Sequence, residues 1–305
     1  MTDTLNMPVK RECKIALVIS TRNRARHLPW MLEALKKLEC RSSWEIVLVD
    51  NGSTDNTPSL LAEFQHSMGN RKPVRVVSEP EPGLARARNR GAAATNAEIL
   101  AFTDDDCYPN QDFLDAIVAQ FEAHGIAYLG GRVLLHDPRD LRITILERNR
   151  PAEFPPRSFI EAGTVHGANF AVRRKAFMAT GGFNEHLGAG TPFQSGEDTE
   201  LVARLSWDGQ PGRYDPGPVV SHHHRRRDPA AQKRLMRGYD RGRGAYMLLF
   251  CLRRDSRRLY ARRWLSVLGD GAVGRFTREL WAAACYLSRY GVRCPAQIAD
   301  QDSRR

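Results

Sequence analysis

The sequence predicts an α/β fold in which a mostly parallel central sheet is flanked by helices and followed by an Arg-rich helical C-terminal extension. Short β-branched runs alternate with segments of helical periodicity in the first half, which is typical of parallel strands joined by helices. Polar residues follow three of these runs, where open α/β sheets bind ligands. Beyond residue 228 the pattern is helical and rich in arginine.

Four apolar runs in the first half are predicted to be strands. They are Lys14–Ser20, Glu45–Asp50, Val74–Ser78 and Ile99–Thr103. Apolar residues at helical spacing between and after them predict helices around Leu28–Leu38, Leu60–Phe64 and Phe113–Phe121, and a fourth helix is expected over Leu84–Thr95. We therefore expect residues 14–110 to form a nucleotide-binding half.

The second half is predicted to continue this α/β domain to residue 228. Its predicted elements are strands at Tyr128–Leu135, Gly167–Arg173 and Pro218–His222, a loop at Arg148–Ile160 and a helix at Glu197–Trp207. Residues 1–13 are expected to be an N-terminal tail, and residues 229–305 a basic helical extension.

Composition favours a globular cytoplasmic protein. The apolar fraction is 42%, and no run approaches the roughly 20 apolar residues that span a bilayer. Met1–Cys13 has no apolar segment typical of a secretion signal. The six cysteines form no CxxC pair, which disfavours zinc and dithiol chemistry and favours reduced thiols.

The charge is unevenly distributed along the chain. Residues 222–305 hold 20 Lys/Arg against 7 Asp/Glu, whereas residues 1–221 hold 26 against 28. A basic tail favours an anionic partner, such as a phosphate-bearing lipid, a membrane surface or nucleic acid. Two interpretations of the tail stay open: helices packed on the catalytic domain, and peripheral contact with an anionic membrane at its inner face.

Three strand ends carry the candidate ligand-binding residues. They are Thr21, Arg22 and Asn23 after the first strand, Asp50, Asn51, Gly52 and Ser53 after the second, and Asp104, Asp105 and Asp106 after the fourth. No GxGxxG follows the first strand, which argues against a dinucleotide-binding domain. Three adjacent carboxylates repel one another and favour a hard cation such as Mn²⁺ or Mg²⁺. Alternation allows Asp104 and Asp106 to share one ion, while the alternative is a solvated acidic turn.

Four segments together resemble the donor-binding set of glycosyltransferase family 2: TRNR from Thr21, DNGSTD from Asp50, GLARARNRG from Gly83 and TDDDC from Thr103. The resemblance covers roughly residues 14–224. It implies that residues 14–228 form a catalytic domain, with residues 14–110 as its nucleotide-binding half and residues 111–228 as its acceptor-binding half. It implies a GT-A fold, inversion at the anomeric carbon, nucleotide contacts by Thr21, Arg22 and Asp50, and a metal-binding DxD motif at Asp104 and Asp106. In such a layout Arg86 and Arg90 lie near the diphosphate; the alternative is a solvated helix face.

Three further segments match the family downstream. Gly167, Asn169 and Gly182 resemble its acceptor side, although paired glycines after a helix are also an ordinary C-cap. Glu197-Asp198 resembles the ED motif, which implies that Asp198 is the general base and that Glu197 orients it or holds acceptor hydroxyls. A histidine often follows here in the family, so His222 and His224 are candidate metal ligands, with a solvated loop as the alternative.

The sequence therefore predicts an inverting, metal-assisted glycosyltransferase that uses UDP- or another nucleotide diphosphate sugar. The acceptor is expected to be a saccharide, a lipid-linked saccharide or a small molecule. A sugar-phosphate nucleotidyltransferase is an alternative, but that class usually has a glycine-rich segment after the first strand. A nucleic-acid-binding protein is disfavoured, because three adjacent aspartates would repel phosphates in the absence of a metal.

Overall fold

The computed structural model of this chain describes residues 13–69, 72–269 and 271–291. Predictions for residues 1–12 and 292–305, including Cys294, lie outside the described residues. Within that part of the chain the strands are β1 (Ile15–Thr21), β2 (Trp44–Asp50), β3 (Val74–Ser78), β4 (Ile99–Asp104), β5 (Cys107–Pro109), β6 (Tyr128–Leu135), β7 (Ala152–Phe154), β8 (Phe170–Arg173) and β9 (Gly212–His222). The helices are α1 (Leu28–Lys36), α2 (Thr57–Met68), α3 (Leu84–Ala93), α4 (Phe113–Ala123), α5 (Arg174–Ala179), α6 (Glu197–Trp207), α7 (Pro229–Leu252), α8 (Arg257–Gly269) and α9 (Val273–Tyr290).

The first four strands form the parallel part of the sheet, as the sequence predicts. β1 lies between β2 and β4, and β3 lies outside β2. In this register Thr21 is opposite Asp50, and Ser20 is opposite Asp104. The polar ends of the first, second and fourth strands therefore meet at one edge of the sheet.

The second half of the sheet is mixed. The sheet order is β3-β2-β1-β4-β8-β6-β9-β5, with β7 on β9. β8 is antiparallel to β4 and β6, and β9 is parallel to β6 but antiparallel to β5 and β7. The predicted loop Arg148–Ile160 contains β7, and β9 begins at Gly212 rather than Pro218. Both differences arise from strand pairing between distant segments, which the local sequence pattern does not report.

A hydrophobic core covers each face of the sheet. Alternate residues of β1 point to opposite faces, so Val18 joins one core while Leu17 and Ile19 join the other. Helices α1, α2 and α4 cover the second face. Helices α3 and α5–α9 cover the first, which produces a three-layer α/β fold.

The three C-terminal helices pack into the first core. Two glycines of α7 permit this packing: a Cβ at Gly242 would lie 2.2 Å from the backbone oxygen of Ser195, and one at Gly244 would lie 2.1 Å from that of Glu279 in α9. The division at residue 228 stays a prediction about chain organisation, whereas α7 itself belongs to this core. No helix among the described residues combines the length and hydrophobicity needed to cross a membrane.

Candidate active site

A cavity of about 610 Å³ lies where the carboxyl ends of β1, β2 and β4 face the N-terminus of α6. Its volume is within the range of about 300–1,000 Å³ that small-molecule sites occupy. Helix α7 forms a further wall through Tyr239, Arg243 and Tyr246. The predicted site residues that line it are Thr21, Arg22, Asn51, Asp104, Asp105, Asp106, Gly167, Glu197, Asp198 and His222. The cavity therefore unites residues from both predicted halves of the domain.

Asp105 is held inside the protein by the loop after β1. The Thr21 hydroxyl donates to its Oδ2 at 2.6 Å, and Arg24 Nε lies 3.1 Å from its Oδ1. Burial raises the pKa of Asp105 to about 7, although the charge of Arg24 opposes this shift. Both carboxylate oxygens of Asp105 thus have protein partners. These contacts tie the segment Asp104–Asp106 to the end of β1 and the loop after it.

Asp106 pairs with a histidine that arrives on β9. His222 Nε2 lies 3.3 Å from Asp106 Oδ1, and Arg24 Nη2 lies 3.2 Å from Oδ2. Burial alone would raise the pKa of Asp106, but His222 and Arg24 outweigh it and lower the pKa to about 2. Burial likewise opposes the imidazolium of His222, yet Asp106 raises the pKa of that group. The two side chains form a buried anion–imidazole pair at the cavity wall.

This pair fits a hard divalent cation. Ligand atoms of Asp106, Cys107 and His222 all lie within 4.8 Å of one another. Burial raises the pKa of the Cys107 thiol well above its usual value, and hard cations prefer oxygen and nitrogen ligands to sulfur. Carboxylate and imidazole together suit Mn²⁺ or Mg²⁺. The side chain of Arg24, which pairs with Asp106 at this site, is 36% exposed.

Arg88 is the central cation of the cavity, and the motif analysis did not single it out. Its Nη2 lies 2.7 Å from Asp104 Oδ1, and its Nη1 lies 3.0 Å from Glu197 Oε1. Burial opposes its charge, but these carboxylates outweigh burial and raise the pKa of Arg88. Burial also raises the pKa of Glu197 to about 7, with Asp198 adding to the shift and Arg88 opposing it. Arg88 therefore joins Asp104, at the end of β4, to Glu197, in the first turn of α6.

Asp198 is the carboxylate of α6 that faces the cavity with partial exposure, whereas Glu197 is buried. The backbone N–H of Gly167 donates to Asp198 Oδ2 at 2.9 Å, and that of Thr199 donates to Oδ1 at 2.6 Å. A Cβ at Gly167 would lie 2.7 Å from Arg88 Nη1, so a larger residue there would displace the Arg88 guanidinium. Two backbone donors thus fix the orientation of the Asp198 carboxylate.

The Asp50–Ser53 segment mainly builds the rim. The Asn51 amide donates to two carbonyls of the loop 79–83 at 3.0 and 2.7 Å, and its Oδ1 accepts from the N–H of Gly83 at 2.9 Å. Gly52 has φ +63, and a Cβ there would lie 2.6 Å from a backbone oxygen of the same loop. These two residues hold the loop that leads into α3.

Two of the remaining motif residues join neighbouring loops. Asn23 donates its N–H to Ser53 Oγ at 2.9 Å and accepts from the N–H of Thr54 at 2.7 Å. The N–H of Ser53 donates to Asp50 Oδ1 at 3.3 Å. Asn23, Asp50 and Ser53 lie outside the cavity lining. Their hydrogen bonds fix the relative position of the loops after β1 and β2.

Three further predicted residues have structural partners instead of facing the cavity. His224 Nε2 lies 2.9 Å from a backbone carbonyl oxygen, and its Nδ1 accepts a backbone N–H at 3.0 Å. Because both ring nitrogens are engaged, we remove His224 from the proposed ligands. Asn169 donates to two carbonyls at 2.8 and 3.1 Å, and the carbonyl of Gly182, at φ +72, accepts from Arg204. Of the predicted acceptor residues, only Gly167 lines the cavity.

The predicted arginines Arg86 and Arg90 lie on the outer side of α3. Arg86 pairs with Glu185 at 3.2 Å, and Arg90 is exposed and donates to a β3 carbonyl at 3.4 Å. Arg88 instead shares the buried face of Ala85 and Ala92, at helical spacing of three and four residues. That spacing is a sequence signal that could have identified Arg88 as an inward-facing residue. No local signal could have identified the α7 residues, since they reach the cavity from a distant segment.

The comparisons with known proteins agree with this architecture. Residues 16–181 match the family model described as glycosyl transferase family 2. The pre-mycofactocin glycosyltransferase of Mycobacterium tuberculosis is 29% identical over 241 residues, which are 73% of this chain and 46% of that protein. The chain thus spans less than half the length of this relative.

Two solved structures share the fold. The S. aureus TarS 1-349 structure in complex with UDP-GlcNAc has a TM-score of 0.61 at 15% identity, covering 90% of this chain and 81% of that one. The mannosyltransferase PcManGT from Pyrobaculum calidifontis, in complex with GDP-Man and Mn²⁺, has a TM-score of 0.55 at 20% identity, covering 96% and 80%. The predicted GT-A architecture, with a helical C-terminal region, is confirmed.

Proposed function

Because this chain belongs to glycosyl transferase family 2, we propose that it transfers a sugar from a nucleotide diphosphate sugar to an acceptor hydroxyl, with inversion and with divalent-metal assistance. UDP is the first nucleotide to test. Activity, donor and acceptor are all parts of this proposal, since the match spans part of the length of the relatives.

The proposal rests on one observation. The strand-end residues of the first half and the Glu197-Asp198 pair, more than 90 positions further along the chain than Asp104, line the same cavity. A nucleotide site alone would not need a carboxylate fixed by two backbone donors on the opposite wall. A cavity with a cation-binding wall and a facing carboxylate supports transfer from a phosphorylated donor to a nucleophile.

The side chains divide the reaction between them. Arg22 and Arg24 supply positive charge beside the end of β1, where the donor phosphates bind. Asp198 accepts the proton of the acceptor hydroxyl as its oxygen attacks the anomeric carbon from the side opposite the departing nucleotide. Asp106 and His222 would hold Mn²⁺ or Mg²⁺, with Asp104 facing the same cavity. When bound, that ion neutralises the charge that develops on the leaving diphosphate.

The proposal extends to the acceptor and the compartment, and the rest of the cavity and the cysteines support it. Leu235, Met236 and Tyr239 of α7 line the cavity together with Asp198, so we propose that a saccharide, lipid-linked or small-molecule acceptor enters along α7. The five described cysteines are all free thiols, which supports a reducing, cytoplasmic compartment. We assign no role to nucleic acid, because the cavity wall is rich in carboxylates.

Ligand-induced thermal stabilisation tests the proposal. UDP with Mn²⁺ should raise the Tm, whereas UDP with EDTA should raise it much less. Asp106→Ala should abolish the metal-dependent part of the shift. Asp112→Ala is the matched control, since Asp112 is exposed and lies outside the cavity lining.

A donor-hydrolysis screen across nucleotide sugars then identifies the sugar and the base. The proposal fails if UDP and the other nucleoside diphosphates give no shift with metal, or if Asp106→Ala keeps the full metal-dependent shift while circular dichroism reports an intact fold. Equal stabilisation by single-stranded DNA would also contradict it.

A further inference from the structure

A surface on α8 and α9 carries an unusual density of exposed apolar side chains. Among the described residues, these two helices hold six of the ten large apolar side chains that are exposed: Leu265, Leu268, Val273, Leu280, Trp281 and Leu287. Trp281 is the most exposed of them, at 73%. A cluster of this kind on a surface marks a contact site. We call these six residues the α8–α9 face.

The face points away from the folded core. In α9 the buried residues are Glu279, Ala282, Ala283 and Tyr286, which pack toward α7. Leu280 and Leu287, seven residues apart, lie beside this buried stripe, and Trp281 lies on the side of the helix away from it. α9 is therefore apolar on both sides, and within the described part of the chain one side has no covering element.

Basic residues accompany the apolar ones. In α8, Arg258, Arg262 and Leu265 share one face by their spacing of four and three residues, opposite the buried Tyr260 and Trp264. The ion pairs recorded for this region among the described residues involve Arg253, Arg275 and Arg278, and neither Arg258 nor Arg262 takes part.

Residues 253–291 contain nine Arg against three Asp/Glu, a net charge of +6. This positive charge argues against a second copy of this chain as the partner. A two-fold contact would bring two copies of the same net-positive segment together, and like charges oppose association. An anionic lipid surface offers the complementary charge. Tryptophan is also favoured at the water–lipid boundary, where its ring is apolar and its N–H stays hydrated. Arginine stems can cover apolar surface while their charged ends reach the headgroups.

We propose that the α8–α9 face docks on an anionic lipid bilayer, with Trp281 inserted at the headgroup level and Arg258 and Arg262 at the anionic headgroups. The same helix is tied to the cavity from its other side. Glu279 accepts hydrogen bonds from Arg243 at 3.0 Å, from Arg275 at 2.7 Å and from Trp264 Nε1 at 2.8 Å. Arg243 lines the cavity, so the docking surface and the cavity belong to one packed unit.

Vesicle sedimentation with the full chain tests this proposal without any catalytic step, so its result is independent of the proposed function. Binding to phosphatidylglycerol vesicles should occur at low salt, be weak with phosphatidylcholine and be lost at high salt. Each arginine near an anionic surface strengthens binding about fivefold, which corresponds to about 1 kcal/mol. Arg258→Glu with Arg262→Glu should therefore weaken binding by at least about 25-fold.

The control for charge is Lys37→Glu with Lys175→Glu, which changes the net charge equally at exposed positions outside the face. Insertion is tested by quenching of tryptophan fluorescence with brominated phosphatidylglycerol. Quenching should be lost in Trp281→Phe and kept in Trp30→Phe, because Trp30 is a second exposed tryptophan, at 51%, on α1. Circular dichroism and an unchanged Tm without ligand show that each variant is folded.

Three outcomes would overturn the proposal. One is no binding to anionic vesicles at low salt, or equal binding to neutral ones. Another is that both charge-reversal pairs weaken vesicle binding equally. That result would mean that the lipid surface attracts the net charge of the whole chain and not this face. The third is a dimer in sedimentation velocity that Trp281→Phe dissociates, since a second copy would then cover the face.

Discussion

Replacing Arg88 with methionine probes the buried charge network that joins the two walls of the cavity. The substitution keeps a long unbranched side chain but removes a buried guanidinium that lies 2.7 Å from Asp104 and 3.0 Å from Glu197. Removing one partner of a buried pair costs about 3–5 kcal/mol, because the other charge is left uncompensated. Against a typical unfolding free energy of about 5–15 kcal/mol, the variant should fold but be strongly destabilised.

The cost of Arg88→Met should depend on pH with a definite sign. The pKa of Glu197 in the folded protein is raised to about 7, so the folded state binds a proton there that the unfolded state has already released. In the variant at pH 8, Glu197 is charged and has lost its partner. At pH 5.5 Glu197 is protonated, so the missing guanidinium costs little unfolding free energy there. We expect a clearly smaller loss of unfolding free energy at pH 5.5 than at pH 8.

Urea denaturation followed by circular dichroism in EDTA measures these free energies. Arg86→Met and Arg90→Met are matched controls on the same helix, and each should cost no more than about 1 kcal/mol because Arg90 is exposed and the ion pair of Arg86 is solvent-accessible, with its side chain 42% exposed. The double variant Arg88→Met with Glu197→Gln should lose less than the sum of the two single changes, by about 0.5–3 kcal/mol. A cost equal to that of the controls, or additive costs that do not change with pH, would refute this account of Arg88.

Three other predictions concern the packing of α7, the role of Asp198 and the pH dependence of stability. Gly244→Ala should destabilise the protein by about 1–3 kcal/mol, since its Cβ would meet a backbone oxygen of α9 at 2.1 Å, while Gly125→Ala, with open space, should not. Asp198→Asn should lower turnover by roughly 10²–10⁴ and leave the UDP–Mn²⁺ thermal shift unchanged. The Tm in EDTA should rise from pH 8 to pH 6, because Asp105 and Glu197 have pKa values raised to about 7 and their burial as anions is unfavourable.

Each of these has a result that contradicts it. Equal unfolding midpoints for the two glycine variants would show that α7 and α9 can separate without cost. An inactive Glu197→Gln beside an active Asp198→Asn would exchange the roles of the two carboxylates. A Tm that falls on acidification from pH 8 to pH 6 would mean that the buried carboxylates are not the dominant titrating groups in that range.

The sequence by itself determined the family, the fold class and the edge of the sheet at which the cavity lies. β3, β6 and α6 have the predicted bounds, because the two strands are short runs rich in apolar residues and the helix has apolar residues at helical spacing. The aspartates after β4 and the Glu197-Asp198 pair could also be placed from the sequence. The aspartates follow a strand and the pair begins a helix, and the local sequence defines both elements.

Only the tertiary structure decided which polar side chains face the cavity. Arg88 points inward while Arg86 and Arg90 point out, and His222 meets Asp106 while His224 bonds to backbone. The same holds for the wall that α7 adds and for the pairing of β9 with β6 and β7. A local pattern predicts a helix or a strand, but the direction of a side chain depends on the packing of segments that are far apart in sequence. A charge that this packing buries requires a partner, and that partner also comes from a distant segment.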